Sequence, residues 1–227
     1  MHLYQIDAFT AEPFRGNPAA VCVLDAPRPD AWLQAVAAEM NLSETAFVLR
    51  EGARWRLRWF TPVAEVRLCG HATLATAHAL WSEGYAPHDE ALYFDTRSGE
   101  LVARRREGWV ELDFPSRRVE AALPMPALAG ALSVSPIGWY RAIGPNGDTA
   151  LLELADATTV RAASPDLAAL RHLPVHAVCI TARGPDAPAQ GLPACDLVTR
   201  FFAPELGIDE DPVTGSAHCF LAPFWAE

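Results

Sequence analysis

Apolar positions along the chain change period repeatedly, from two to about 3.6 and back, which predicts a protein mixing strands and helices. Leu3–Phe9 and Ala19–Leu24 read as strands, with Gly16-Asn17-Pro18 as the turn between them. Ala31–Met40 has helical spacing through Trp32, Leu33, Val36 and Met40. Asn41 is suited to stop that helix, because a short polar residue tolerates left-handed backbone. From Glu44 a strand alternation takes over, with Glu44, Ala46 and Val48 on one face and Thr45, Phe47 and Leu49 on the other. Arg54–Phe60 alternates Trp55, Leu57 and Trp59 with arginines, which predicts a strand whose outer face is basic and solvated. Alanine and leucine fill Gly70–Trp81 and predict a helix there. Short strands are expected over Ala91–Phe94, Gly99–Ala103 and Trp109–Phe114.

Pro115–Gly130 holds three prolines and interrupts the pattern, which places a domain boundary there, with domains at 1–116 and 117–227. Beyond it, strands are expected near Trp139–Ile143, Ala150–Leu154, Ala177–Ile180 and Leu197–Phe202, and a helix near Pro165–Arg171. Pro185–Pro193 reads as a polar turn or loop. A repeat crosses the boundary. Arg58-Trp59-Phe60-Thr61-Pro62 is echoed by Arg200-Phe201-Phe202-Ala203-Pro204. Acidic residues follow each copy, Glu65 in the first and Glu210-Asp211 in the second. A glycine turn comes next, Cys69-Gly70-His71-Ala72 in one and Thr214-Gly215-Ser216-Ala217 in the other. Two such units imply two domains of like fold around a shared cleft.

Composition narrows the chemistry. The chain has 227 residues, 51% of them hydrophobic, enough for packed cores. No apolar run is long enough to span a membrane, and the start MHLYQIDAF lacks the features of a secretory signal. Five cysteines with no C-x-x-C pair fit a reduced, cytoplasmic protein rather than a disulfide framework. A net charge of −10 disfavours nucleic acid as a partner. All 18 basic residues are arginine, so there is no lysine to form a Schiff base or to complete a Walker-type phosphate loop. Carboxylates, thiols, imidazoles and backbone dipoles are left to do the work.

Glu44 lies at a strand mouth among apolar neighbours, where desolvation raises a carboxyl pKa and suits it to proton transfer; the bland alternative is a solvated glutamate at a junction. A glycine at a helix start lets backbone N–H groups approach a carboxylate or an oxyanion. Gly70 and Gly215 occupy matched positions of the repeat and suggest a small anionic substrate held between them. His71 either positions or protonates the substrate or is a structural histidine. Ser216 either donates to the substrate or caps its helix, and Asp211 is either a second acid/base group or a turn residue. With Glu44 they supply a base, oxyanion donors and a returning acid, the parts that proton abstraction beside a carbonyl requires. Cys69 faces Thr214 across the repeat and reads as packed rather than catalytic. His71 and His78 can share a helix face but lack an obvious third ligand, so no metal site is expected. The loops over Gly84–Gly99 and Pro145–Asp148 are expected to shape the pocket.

The runs YQIDAFT, FRGNPAAVC, NLSETAF, RWFTPVAEVRLCGHATLA, LDFP and EDPVTGSAHCFLAPFWAE resemble the phenazine-biosynthesis PhzF-like family over nearly the whole chain. The resemblance implies an α+β protein of two pseudo-symmetric domains with the diaminopimelate epimerase-like fold, each a curved mixed sheet around a central helix. It implies a cofactor-free isomerase that assembles as a homodimer. In the best-understood members a glutamate shuttles a proton across a dihydro-hydroxyanthranilate ring. Carried onto this chain, Glu44 is the shuttle, His71, Asp211 and Ser216 bind or assist, and Gly70 and Gly215 are backbone donors. Family members continue well beyond LAPFWAE, so the second domain is expected to be incomplete here. A non-catalytic binder or an inactive homologue is the alternative. An amino-acid epimerase meets the objection that relatives of that kind use two opposed cysteines, where this chain offers Cys69 and Thr214.

Overall fold

The computed structural model describes residues 1–12, 14–144, 147–185 and 195–226. The chain divides by contacts into two units, Met1–Pro115 with Val213–Ser216, and Ser116–Pro212 with Ala217–Glu227.

In the first unit, β1 (His2–Ala8) and β2 (Asn17–Leu24) form an antiparallel pair, followed by α1 (Asp30–Met40), β3 (Thr45–Glu51) and β4 (Arg54–Phe60). The chain continues through β5 (Glu65–Val66), α2 (Gly70–Ser82), β6 (Leu92–Thr96), β7 (Gly99–Arg106) and β8 (Trp109–Asp113). The sheet order is β1-β2-β3-β4-β6-β7-β8, with β5 hydrogen-bonded to β4. It is a mixed sheet: β2 with β3 and β4 with β6 run parallel, and the other pairs are antiparallel. The apolar run of β2 is buried on both faces, as expected of a central strand covered on either side. One face carries α1, where Leu33 and Ala37 pack on Cys22, Leu24, Phe47 and Phe60. The helix α2 packs against β1, β2 and β3, and most of its residues, from Gly70 to Trp81, are buried. A helix buried nearly all round belongs inside a curled sheet, and its many alanines let the strands come close. The helix end at Asn41 is as the sequence predicts: Asn41 takes φ 50° and ψ 37°, and its N–H donates to the Ala37 carbonyl.

The second unit contains β9 (Val119–Ala121), α3 (Pro126–Leu132), β10 (Gly138–Ala142), β11 (Thr149–Glu153), α4 (Ala157–Ala162) and α5 (Leu167–Arg171). It is completed by β12 (Ala177–Arg183), β13 (Leu197–Ala203), β14 (Ile208–Asp211) and α6 (His218–Ala226). The sheet order is β14-β13-β12-β11-β10-β9, with β11 and β12 parallel. Side-chain alternation divides this core in two. Leu151, Cys179 and Phe201 face α6 through Phe220 and Leu221, whereas Leu152, Val178, Ile180 and Phe202 meet α3, α4 and α5 through Leu128, Leu132, Val160 and Leu170. The proline-rich segment after Pro115 contains β9 and the start of α3, because Pro126 sits at the first turn of a helix, where its missing N–H costs nothing. Residues 186–193 of the loop expected over Pro185–Pro193, and residues 145–146 of the expected pocket loop, lie outside the described residues.

The repeat read from the sequence has matching side-chain structure. Arg58 Nε donates to Glu65 Oε1 at 2.8 Å, and Arg200 Nε donates to Glu210 Oε1 at 2.7 Å. Each arginine also lies over the aromatic ring two residues on, Phe60 and Phe202, at 5.1 Å. Each tie holds a short antiparallel strand, β5 or β14, to its neighbour ahead of a glycine turn. Among the described residues no helix is long and apolar enough to cross a membrane.

Candidate active site

Glu44 is the last residue before β3, and its carbonyl accepts a hydrogen bond from the N–H of Ala20 in the parallel neighbour β2. That pairing fixes the mouth of the strand, and the Glu44 side chain is only 10% exposed. Opposite it stands His71, the second residue of α2, whose side chain is 2% exposed. Glu44 Oε2 and His71 Nε2 are 3.5 Å apart. Burial pushes the His71 imidazole down from 6.5 to about 4, with a smaller opposing effect from a hydrogen bond to the Pro18 backbone. At neutral pH the ring is therefore uncharged, and the pair is a carboxyl group facing a neutral imidazole. On the other side of the ring, Cys69 Sγ lies 3.5 Å from His71 Nδ1. Cys69 is the extended residue ahead of α2, and the Thr73 hydroxyl donates back to its carbonyl.

The two glycine turns meet within the first unit. A Cβ placed on Gly70 would lie 3.0 Å from Gly215 Cα and 3.1 Å from Ser216 N. At Gly70 these backbone contacts are tighter than an ordinary Cβ contact, which favours glycine there; the fit at Gly215 is looser. Upstream, the buried Asn17 side chain donates to the Val213 carbonyl at 3.1 Å and fixes the approach of this segment. The Phe9 ring edge reaches to 3.3 Å from where a Gly215 Cβ would stand. Gly215–Ala217 is a short 3-10 turn running straight into α6.

Five of the six residues singled out from the sequence, Glu44, Gly70, His71, Gly215 and Ser216, thus belong to the first unit. Glu44 meets His71, and the Gly70 turn meets Gly215 and Ser216. Asp211 belongs to the second unit, half-buried at the end of β14. His78 points elsewhere, exposed and paired with Ser82. Cys69, expected to be packed, is buried, and its sulfur lies 3.5 Å from His71 Nδ1. Sequence patterning missed two participants. Asn17 read as a turn residue and Phe9 as a strand end; neither has a local signal of its role, because their partners lie about two hundred residues away.

Curled mixed sheets around buried helices are the fold that PhzF family proteins share with a probable proline racemase. Residues 6–227 match the family model described as phenazine biosynthesis-like protein, and the chain belongs to that family. It is 48% identical over 227 residues to an uncharacterised isomerase of Pseudomonas aeruginosa, covering all of this chain and 82% of that one. A solved PhzF family protein of Enterococcus faecalis matches with a TM-score of 0.83 and 42% identity, over 99% of this chain and 81% of its own. A probable proline racemase of Agrobacterium radiobacter shares the fold at a TM-score of 0.57 and 14% identity, over 92% of this chain and 72% of its own.

Proposed function

We propose that the protein is a cofactor-independent isomerase that moves a proton on a small carboxylate-bearing substrate, with Glu44 as the acid/base group. The observation that carries this is the buried Glu44–His71 pair. A carboxyl beside a neutral imidazole, both shielded from water, can take a proton from carbon and return it at another carbon without bulk solvent competing. The N–H groups at the start of α2, with the adjoining turn at Gly215 and Ser216, supply the positive end of a helix and hydrogen-bond donors for a substrate carboxylate or an enolate oxygen. His71, neutral, assists by hydrogen bonding rather than by charge. Asp211 is assigned the second acid/base role. The isomerase names of the relatives support the same reaction class.

Screening small cyclic and unsaturated carboxylates in deuterated water by proton NMR tests the proposal. The expected result is an isomerised product, with deuterium at the new carbon–hydrogen bond to the extent that the shuttled proton exchanges. A ligand that binds, as seen by saturation transfer, but is neither rearranged nor exchanged contradicts the proposal and indicates a binding protein.

A further inference from the structure

We propose a second ligand site, on the face of the first unit's sheet that carries α1, for a small monocarboxylate with a compact apolar body. A depression of about 310 Å³, open to solvent, lies where the loop after β2 and the first turn of α1 meet β3 and β4. Leu24, Leu33 and Phe47 form its floor, none more than 9% exposed, and the half-buried Leu49 flanks them. That volume is at the small end of the range of about 300–1,000 Å³ for ligand pockets, which suits a single ring or a short branched chain. By strand alternation Phe47 and Leu49 point away from Ala46 and Val48, whose parity Glu44 shares. The depression is therefore separate from the Glu44–His71 pair and does not depend on the isomerase reading.

The rim decides the charge of the occupant. Three arginines line it, Arg28, Arg56 and Arg58. Arg56 pairs with Glu51, and Arg58 pairs with Asp30 and with Glu65, each at 2.8 Å. Arg28 has no ion pair among the described residues; its guanidinium lies 5.5 Å from the centre of the Trp32 ring. Asp25, three residues back, is taken up by the Met1 amino group. One guanidinium is thus left over at the edge of an apolar floor, which matches one negative charge on an apolar body. The planar fork of Arg28 can take a carboxylate through two parallel hydrogen bonds, and the Trp32 ring beneath it limits where that fork can stand. Arg56 is half exposed, so its pair with Glu51 is weak and the side chain can turn toward the same anion. A dianion finds a single unbalanced charge here, and a neutral ligand of the same shape forgoes the charge-assisted bonds altogether.

Titration of benzoate into the chain labelled with carbon-13 at its leucine methyls, followed by NMR, tests the site. The methyl signals of Leu24, Leu33 and Leu49 should shift along one saturable curve. Benzamide, the neutral isostere, should bind about fivefold more weakly or worse. Arg28→Gln, at an exposed loop position, should weaken benzoate by a similar factor. Leu49→Trp, which fills the depression, should leave Leu24 and Leu33 unresponsive. Glu44→Gln should change none of this, since Glu44 lies outside the depression. Absence of shifts at these leucines, equal affinities for benzoate and benzamide, or an Arg28→Gln chain that binds like the parent overturns the site. Benzoate that perturbs only the start of α2 also overturns it while leaving the proton-transfer reading standing.

Discussion

Gly70 and Gly215, 145 positions apart in the chain, lie so close that a methyl group on Gly70 would sit 3.0 Å from Gly215 Cα and 3.1 Å from its carbonyl carbon. All the atoms it would meet are backbone, which cannot rotate away. Gly70→Ala should therefore cost about 1–3 kcal/mol, more than alanine's better helix propensity of about 1 kcal/mol can offset. Gly215→Ala meets Gly70 Cα and the Phe9 ring edge at 3.3 Å, contacts that need a shift of only a few tenths of an ångström. Its effect should stay within about 1 kcal/mol. Urea denaturation midpoints for the two variants check the ranking.

His71 gives the stability a pH dependence. Its imidazole is held down at about 4 in the folded chain by burial, against an ordinary 6.5. Between those values the unfolded chain binds a proton that the folded one does not, so stability is fully present above about 6.5 and is lost as pH falls toward 4. The full difference corresponds to about 3 kcal/mol. Replacing His71 with Gln should flatten this part of the profile, measured as the unfolding free energy of both proteins from pH 7 to pH 4. A variant whose profile matches that of the parent contradicts the assignment.

The cap of α4, in the second unit, provides a control that takes no part in the proton chemistry as assigned here. Asp156 accepts from the Thr159 N–H at 2.7 Å and from the Thr159 hydroxyl at 3.1 Å, which caps α4. Asp156→Ala should lower stability by about 0.5–2 kcal/mol. Turnover should not change, as read from thermal melts alongside an isomerisation assay.

How much was legible in the sequence follows from the range over which each interaction acts. The helix stop at Asn41, the strand after Glu44 and the alanine-rich helix from Gly70 depend on neighbours within a turn or two, and their patterns show it. The repeat was legible because Arg58 and Arg200 each need an acidic partner a few residues on, and Glu65 and Glu210 supply it. The helix α3 was not, because seven residues beginning at a proline have too few positions to establish a period. By position residues 213–216 belong with the second half of the chain, but Asn17 and Gly70 draw them into the first unit through contacts that no local pattern encodes. The repeat offers no thiol to match Cys69, and its contact with His71 is visible only in the fold.

The most direct test of proton transfer by Glu44 is a comparison of the parent with Glu44→Gln on the same substrate. Glutamine preserves the shape of the side chain but cannot carry the proton, so ligand affinity should stay within a few-fold while turnover falls by about 10²–10⁴. Turnover at the parental rate in Glu44→Gln would contradict the account.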